Sequence, residues 1–352
     1  MLISRFKMWN SPPIRSQMRA HHGNSIKRLT LALLWPAMII SAAEPSTWKI
    51  DAQPAIAPGE IGSWDDFAIT NVAILKTGES FAMFYTGVAL TSDERTSAIG
   101  IARSGDGVAW KKHDDNPVLG LDLAPHEYVS SVSVARWKDE FRAVYVVERE
   151  FTSTAADEKE PPPRIMTARS EGGTIWQQAK NLAGVSFDQP ESVELRPCIY
   201  ADSGLLHLWW IGLSENEPAL CHSVSRDGEN WSKPNLQPMR EIDSREISSV
   251  RVYPSGDFTI LVYVAEDTPN HASIATKVAR DARSWVAKGP PEFPIERSGW
   301  HLVPGMIFKS DGARLFYTEP LYVGRAIDWR KSAIRGAILR IAFCPRSAYV
   351  GQ

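Results

Sequence analysis

Apolar and polar positions alternate along this chain in short runs, separated by clusters of Gly, Asp, Asn, Ser and Pro. Phe81-Ala-Met-Phe-Tyr-Thr86, bounded by Gly78 and Gly87, has the composition of a strand between turns. Comparable runs predict three strands in each of five successive units. They cover residues 71–75, 81–86 and 98–103; 132–136, 141–147 and 164–169; 195–200, 206–211 and 220–225; 249–253, 258–264 and 273–279; and 303–308, 313–318 and 337–343. No segment sustains a 3.6-residue apolar period, so no helical domain is predicted.

Four of the units close on one seven-residue phrase. Its copies are Ser104-Gly-Asp-Gly-Val-Ala-Trp110, Ser170-Glu-Gly-Gly-Thr-Ile-Trp176, Ser225-Arg-Asp-Gly-Glu-Asn-Trp231 and Ala279-Arg-Asp-Ala-Arg-Ser-Trp285, with tryptophans 66, 55 and 54 residues apart. Self-similarity at such a period marks a repeat architecture. The phrase itself reads as structural: Asp or Ser bonds the local backbone, Gly makes the turn, and Trp fills the space between neighbouring sheets. The fifth unit lacks it. Trp48-Lys49-Ile50, followed by Pro54-Ala55-Ile56, echoes Trp110-Lys111-Lys112, followed by Pro117-Val118-Leu119, and so reads as the missing outer strand. The expected fold is all-β, a five-bladed β-propeller whose ring is closed by an N-terminal outer strand.

Residues 1–43 hold six cations and no acid, followed within them by the apolar run 29–40 and Ser41-Ala42-Ala43. That is the layout of an export signal cleaved after Ala43, with Met18 as an alternative start. The expected domains are therefore a signal peptide, 1–43, and a propeller, 44–352, in a secreted or periplasmic protein with no stable membrane insertion. Twelve apolar residues fall short of the roughly 20 that a membrane-spanning helix needs. Loss of the six leader cations leaves 33 Lys and Arg against 41 acids, moving the formal charge from −2 to −8. Such a chain is a poor nucleic-acid ligand, because that binding neutralises phosphates with cations. Three cysteines without CxxC spacing indicate neither a disulfide framework nor a thiolate metal site.

In a propeller, innermost strands start and second strands end on one face, around a central funnel. Candidates on that face are Trp64, Asp65, Asp66, Asn71, Ser133, Glu194, Arg196, Arg251 and His301 from the approaches and inner strands, with Glu148, Trp209 or Trp210, Glu266 and Glu319 from the second strands. Aromatic faces and charged groups suit sugar rings, and converging acids raise one another's pKa as a general acid requires. Bland alternatives stand beside these roles. Glu148-Arg149-Glu150 reads equally as a surface ion-pair cluster, and one ring of Trp209-Trp210 must be core. Residues 151–163, acidic and proline-rich, read as a lid or as a solvated insertion.

The run Ile99-Gly-Ile-Ala-Arg-Ser-Gly-Asp-Gly-Val-Ala-Trp110 with Asn116-Pro-Val-Leu119, Trp64-Asp65 and the strand 81–87 resembles five-bladed propeller glycoside hydrolases, families 43 and 32 and the mannoside-phosphorylase-like propellers. The resemblance spans residues 47–343. It implies three carboxylates on the inner strands of the first three blades, acting as base or nucleophile, orienting acid and general acid. Here Asn71 and Ser133 stand at the first two positions, and Glu194 matches the third. Asp66 or Asp65 is then the substitute base, and Arg196, Arg251 and His301 orient the sugar, with Trp64, Asn71, Ser133, Glu148, Trp210, Glu266 and Glu319 also lining the substrate site. No cofactor is implied beyond a structural calcium ion near His301. The expectation is an exported glycoside hydrolase acting on polysaccharide-derived glycosides. The alternatives are a non-catalytic glycan-binding propeller and a structural or partner-binding one.

Overall fold

The structure, a computed structural model, describes residues 48–90, 95–149, 162–185, 195–268, 271–296, 304–322 and 334–345. It begins with β1 (Lys49–Ile50), then β2 (Ala68–Thr77), β3 (Ser80–Leu90), β4 (Arg95–Ser104) and β5 (Lys111–Lys112). The second group is β6 (Glu127–Trp137), β7 (Glu140–Arg149), β8 (Arg164–Ser170) and β9 (Gln177–Asn181). The third is β10 (Cys198–Asp202), β11 (Leu205–Ser214), β12 (Glu217–Ser225) and β13 (Asn235–Pro238), followed by a four-residue helix, α1 (Met239–Ile242). Next come β14 (Glu246–Ser255), β15 (Phe258–Thr268), β16 (His271–Ala279), β17 (Val286–Ala287) and β18 (Phe293–Glu296), and finally β19 (Gly305–Lys309), β20 (Gly312–Tyr322) and β21 (Ile334–Pro345).

Each group pairs antiparallel in chain order, save that β18 returns to pair with β16, and the arrangement is an all-β propeller. The sheet count differs from the five expected. Among the described residues four sheets form, because one parallel pair, Ala68 opposite Ala337, joins β19-β20-β21 to β2-β3-β4-β5 in a single eight-stranded sheet. In that sheet β1 pairs with β21, Lys49 opposite Phe343 and Ile50 opposite Ala342. Innermost strands meet in sequence: β19 touches β2, β2 touches β6, β6 touches β10, and β10 touches β14. The Tyr253 hydroxyl of β14 accepts a hydrogen bond from the Met306 amide of β19 at 3.1 Å.

The core lies between consecutive groups. Phe84, Ile99 and Ile101 meet Val132, Phe141 and Tyr145; Val144 and Val146 meet Leu208 and Trp210; Trp209 and Ile211 meet Val250, Leu261 and Tyr263. Val262, Ile274 and Phe293 meet Met306, Leu315 and Trp48, and Ile307 and Phe316 meet Ile69, Met83 and Tyr85. Trp209 and Trp210, adjacent on β11, are both buried, one against each neighbouring group. Each removes about 200 Å² of largely apolar surface from water, worth several kcal/mol.

The repeated phrases join third to fourth strands. Ser104 Oγ accepts from Gly107 N at 2.8 Å, and Asp106 Oδ1 accepts from Val108 N and Ala109 N at 2.8 and 3.0 Å. Ser225, Asp227 and Gly228 repeat the geometry. Gly107 and Gly228 both adopt φ +77°, in the left-handed region that glycine enters without penalty. The closing tryptophans reach the second strand of the preceding group: Trp110 packs on Phe316, Trp176 on Phe84, and Trp285 on Trp209.

Candidate functional site

Three inner strands carry one extra residue near their starting ends. Register shifts fall between Thr70 and Ala73 in β2, Val129 and Ser131 in β6, and Ile247 and Ser249 in β14. A bulge breaks the strict alternation of side chains and re-aims one of them. In β2 the displaced residue is Asn71, at φ +48°, a region that Asn tolerates better than most side chains.

Asn71 thereby enters a shared floor. Its Oδ1 accepts from Arg196 Nη1 at 2.9 Å, and its Nδ2 donates to the Ser130 carbonyl, which also accepts from Arg196 Nη1 at 3.1 Å. The three residues are 5%, 7% and 6% exposed for Asn71, Ser130 and Arg196, so only their edges meet solvent. Beneath them Arg251, 2% exposed, donates from Nη2 to the Val132 carbonyl at 3.0 Å and from Nη1 to the Pro197 carbonyl at 3.2 Å. One guanidinium thus ties β14 to β6 and to the residue before β10. Ser133 joins the same layer, accepting from the Ile199 amide at 2.9 Å.

Above the floor, Tyr128 donates to Glu148 Oε2 at 2.8 Å, and the Arg95 guanidinium lies 4.5 Å from the centre of the Tyr128 ring. Arg196 feels all of these groups. Burial pulls its pKa down to about 10, with Glu148 acting to raise it and Arg251 and Arg95 to lower it. At neutral pH it remains a cation.

Trp64, Asp65 and Asp66 go elsewhere. Trp64 stacks on Tyr85 of β3, and its ring occupies the space that a Cβ on Gly87 or Gly100 would need. Asp65, 2% exposed, binds Lys112 of β5 at 2.5 Å and accepts from Ser63 Oγ at 3.2 Å. The segment lies across β3, β4 and β5, where Trp64 meets Gly87 and Gly100 and Asp65 meets Lys112. Asp66 caps its own turn, accepting from Gly62 N at 2.8 Å. Burial first, then Asp65, pushes the Tyr85 hydroxyl well above its ordinary pKa.

Of the other sequence-predicted residues, Asn71, Ser133, Glu148, Arg196 and Arg251 are gathered at the axis, whereas Trp210 lies in the core between groups. Glu266, two residues before the end of β15, lies opposite Glu246. Glu194, His301 and the Glu319 side chain lie outside the described residues, as do residues 151–161 of the proline-rich segment. Arg95, Tyr128 and Ser130 were not singled out by the sequence. Arg95 opens a third strand, which gave no reason to bring it to the axis, and no composition signal announces the bulge at Ser130. Among the described residues, no group of three or more His, Cys, Asp or Glu side chains is placed to hold a metal ion. No helix among them is long and apolar enough to cross a membrane.

No protein-family model matches the chain. Two curated relatives, uncharacterized proteins of Mycobacterium tuberculosis strains CDC 1551 / Oshkosh and ATCC 25618 / H37Rv, are 26% and 25% identical over 184 residues. The match spans 52% of this chain and 60% of each relative. Solved structures are similar over most of the length. A family 117 glycoside hydrolase of the marine bacterium Zobellia galactanivorans matches with TM-score 0.58 and 12% identity, over 85% of this chain and 90% of that one. The catalytic domain of the Coprinopsis cinerea family 62 α-L-arabinofuranosidase gives 0.56 and 12%, over 85% and 98%. An N-acetylgalactosamine deacetylase from F. plautii, in complex with blood group B trisaccharide, gives 0.58 and 13%, over 85% and 95%. The chain resembles propeller glycoside hydrolases in fold.

Proposed function

We propose that this chain is a carbohydrate-active propeller that binds a glycan in its central funnel. The observation that carries the reading is the bulge-built floor, where Asn71, Ser130 and Arg196 meet under Tyr128, Glu148 and Arg95. It offers donors, acceptors and an aromatic ring to the hydroxyls and C–H faces of a sugar. The same reading takes the eight-stranded sheet as two blades, giving five in all, with β1 completing the last. The run of core clusters between consecutive groups supports it, as does the Tyr253–Met306 bond. Export by way of residues 1–43 remains part of the proposal, and the natural ligand is then an extracellular or periplasmic saccharide.

Hydrolysis is the second reading, favoured by the position of Glu194. It lies two residues before Arg196 in the sequence. Glu194 is then the general acid, and Glu148 is an acidic partner at the mouth in place of Asp65 and Asp66. A panel of oligosaccharides and aryl glycosides, assayed for binding by calorimetry and for turnover by product release, tests both. Binding without product supports the glycan-binding module. Turnover that disappears in Glu194→Gln while binding persists supports the hydrolase. No binding to any saccharide overturns the proposal.

A further inference from the structure

Resting on the funnel as a glycan site, we propose that Ser97, in the third strand of the first group, is a positioning residue for it, its hydroxyl holding the bulge of β6 that builds the floor. Ser97 is buried and lies opposite Val88 in the β3–β4 ladder. Its Oγ reaches out of that group and donates to the Val129 carbonyl of β6 at 2.8 Å. Val129 stands at the register shift, with Ser131 on its far side. The next carbonyl along, that of Ser130, accepts from Asn71 Nδ2 and Arg196 Nη1. One residue thus separates the bond made by Ser97 from those that assemble the floor. The surroundings hold the same stretch. Arg95, two residues before Ser97 and on the same face of β4, lies 4.5 Å from the centre of the Tyr128 ring. Gly120 comes so close to Val129 that a Cβ there would meet Cγ2 at 2.8 Å.

What this bond decides is the register of β6. With the bulge, Tyr128 lies opposite Glu148, and its hydroxyl donates to Glu148 Oε2. Unbroken pairing carried back from Ser131 opposite Val146 would instead set Val129 opposite Glu148 and Tyr128 opposite Arg149. A slip of one residue turns every side chain in the slipped stretch to the other face of the sheet. Tyr128 would leave the mouth, and the Ser130 carbonyl would leave Asn71 and Arg196. An extra residue disrupts the ladder locally, so a bulge persists where other groups satisfy the backbone it frees. Ser97 does this from the neighbouring group. A buried carbonyl that loses its donor bears the full desolvation penalty, and without Ser97 that penalty weighs against the bulged register.

The test is calorimetry on the full chain with oligosaccharides of arabinan, galactan, xylan and mannan, together with amide hydrogen exchange of residues 127–133 measured without ligand. Ser97→Ala is expected to bind the saccharide that the wild type binds about tenfold more weakly, and to exchange faster at Ser130 and Ser131. Ser97→Thr keeps the hydroxyl on a side chain suited to strands and restores both. Ser104→Ala, which removes a buried hydroxyl from a repeated turn, lowers stability and leaves affinity unchanged. In an Asn71→Ala background Ser97→Ala weakens binding no further, because both residues act through one floor. Unchanged affinity in Ser97→Ala, an equal loss in Ser104→Ala or in Ser97→Thr, or full additivity with Asn71→Ala overturns the positioning role while leaving glycan binding intact. If no saccharide binds the wild type, the glycan reading falls by itself. Exchange of residues 127–133 that is the same in Ser97→Ala as in the wild type overturns the hold of Ser97 on the bulge.

Discussion

Asn71 carries a backbone cost that its side chain offsets. At φ +48° a residue with an ordinary Cβ is strained, and here both ends of the amide are engaged, one by Arg196 and the other by the Ser130 carbonyl. Asn71→Ala keeps the strain and leaves a buried carbonyl and guanidinium short of a partner, so a loss of about 2–3 kcal/mol is expected. Asn71→Gly relieves the backbone and should cost less. Denaturant unfolding of the two variants checks the order. A second residue-scale consequence concerns His207 and His222, whose Nδ1 and Nε2 lie 3.0 Å apart in a column of stacked rings between Tyr200 and Trp209. Burial lowers both pKa values; for His222 the neighbouring His207 adds to this and brings it to about 3. The unfolded chain, with His near 6.5, therefore takes up protons that the folded one refuses. This contribution to stability is complete above pH 6.5 and is lost as pH falls toward 3. His222→Phe keeps a ring on Trp209 and should flatten the change in urea midpoint between pH 7 and pH 5. An unchanged slope would show that the pair is not its source.

At the scale of elements, the four repeated turns solve one problem with unequal materials. Gly107, Gly173 and Gly228 occupy the left-handed position in three of them, but Ala282 does so in the fourth, at φ +56°. Ala282→Gly is expected to stabilise the chain by about 1 kcal/mol, the cost of holding a Cβ in that conformation. Thermal unfolding of wild type and variant measures it. These turns were legible in the sequence because every part of their chemistry is local: a Ser or Asp oxygen accepts amides two or three residues on. The approach segments were not. Asp65 and Asp243 each precede an inner strand, and each lies against a second-strand tyrosine 20 residues later, Tyr85 and Tyr263. Asp243 is also held by Arg245 at 2.8 Å, which keeps its carboxyl well below the usual range despite burial. The spacing is present in the sequence, yet nothing local distinguishes an acid aimed at a neighbouring tyrosine from one aimed at an axis.

For the whole molecule, periodic tryptophans and alternating runs were enough to read the all-β propeller, since each unit repeats the same packing. The sheet count was not readable, because it turns on one backbone pairing, Ala68 with Ala337, between strands far apart in sequence. Asn71, Ser133, Glu148, Arg196 and Arg251 were candidates from strand polarity alone; which of them meet is decided by bulges, and a bulge carries no composition signal. Arg251 acts across groups. Its side chain reaches from β14 to the Val132 carbonyl of β6 and to the Pro197 carbonyl just before β10, so one guanidinium fastens three successive groups. Its loss would loosen three neighbours at once, whereas a change in an outer strand is felt by a single sheet and the one beside it.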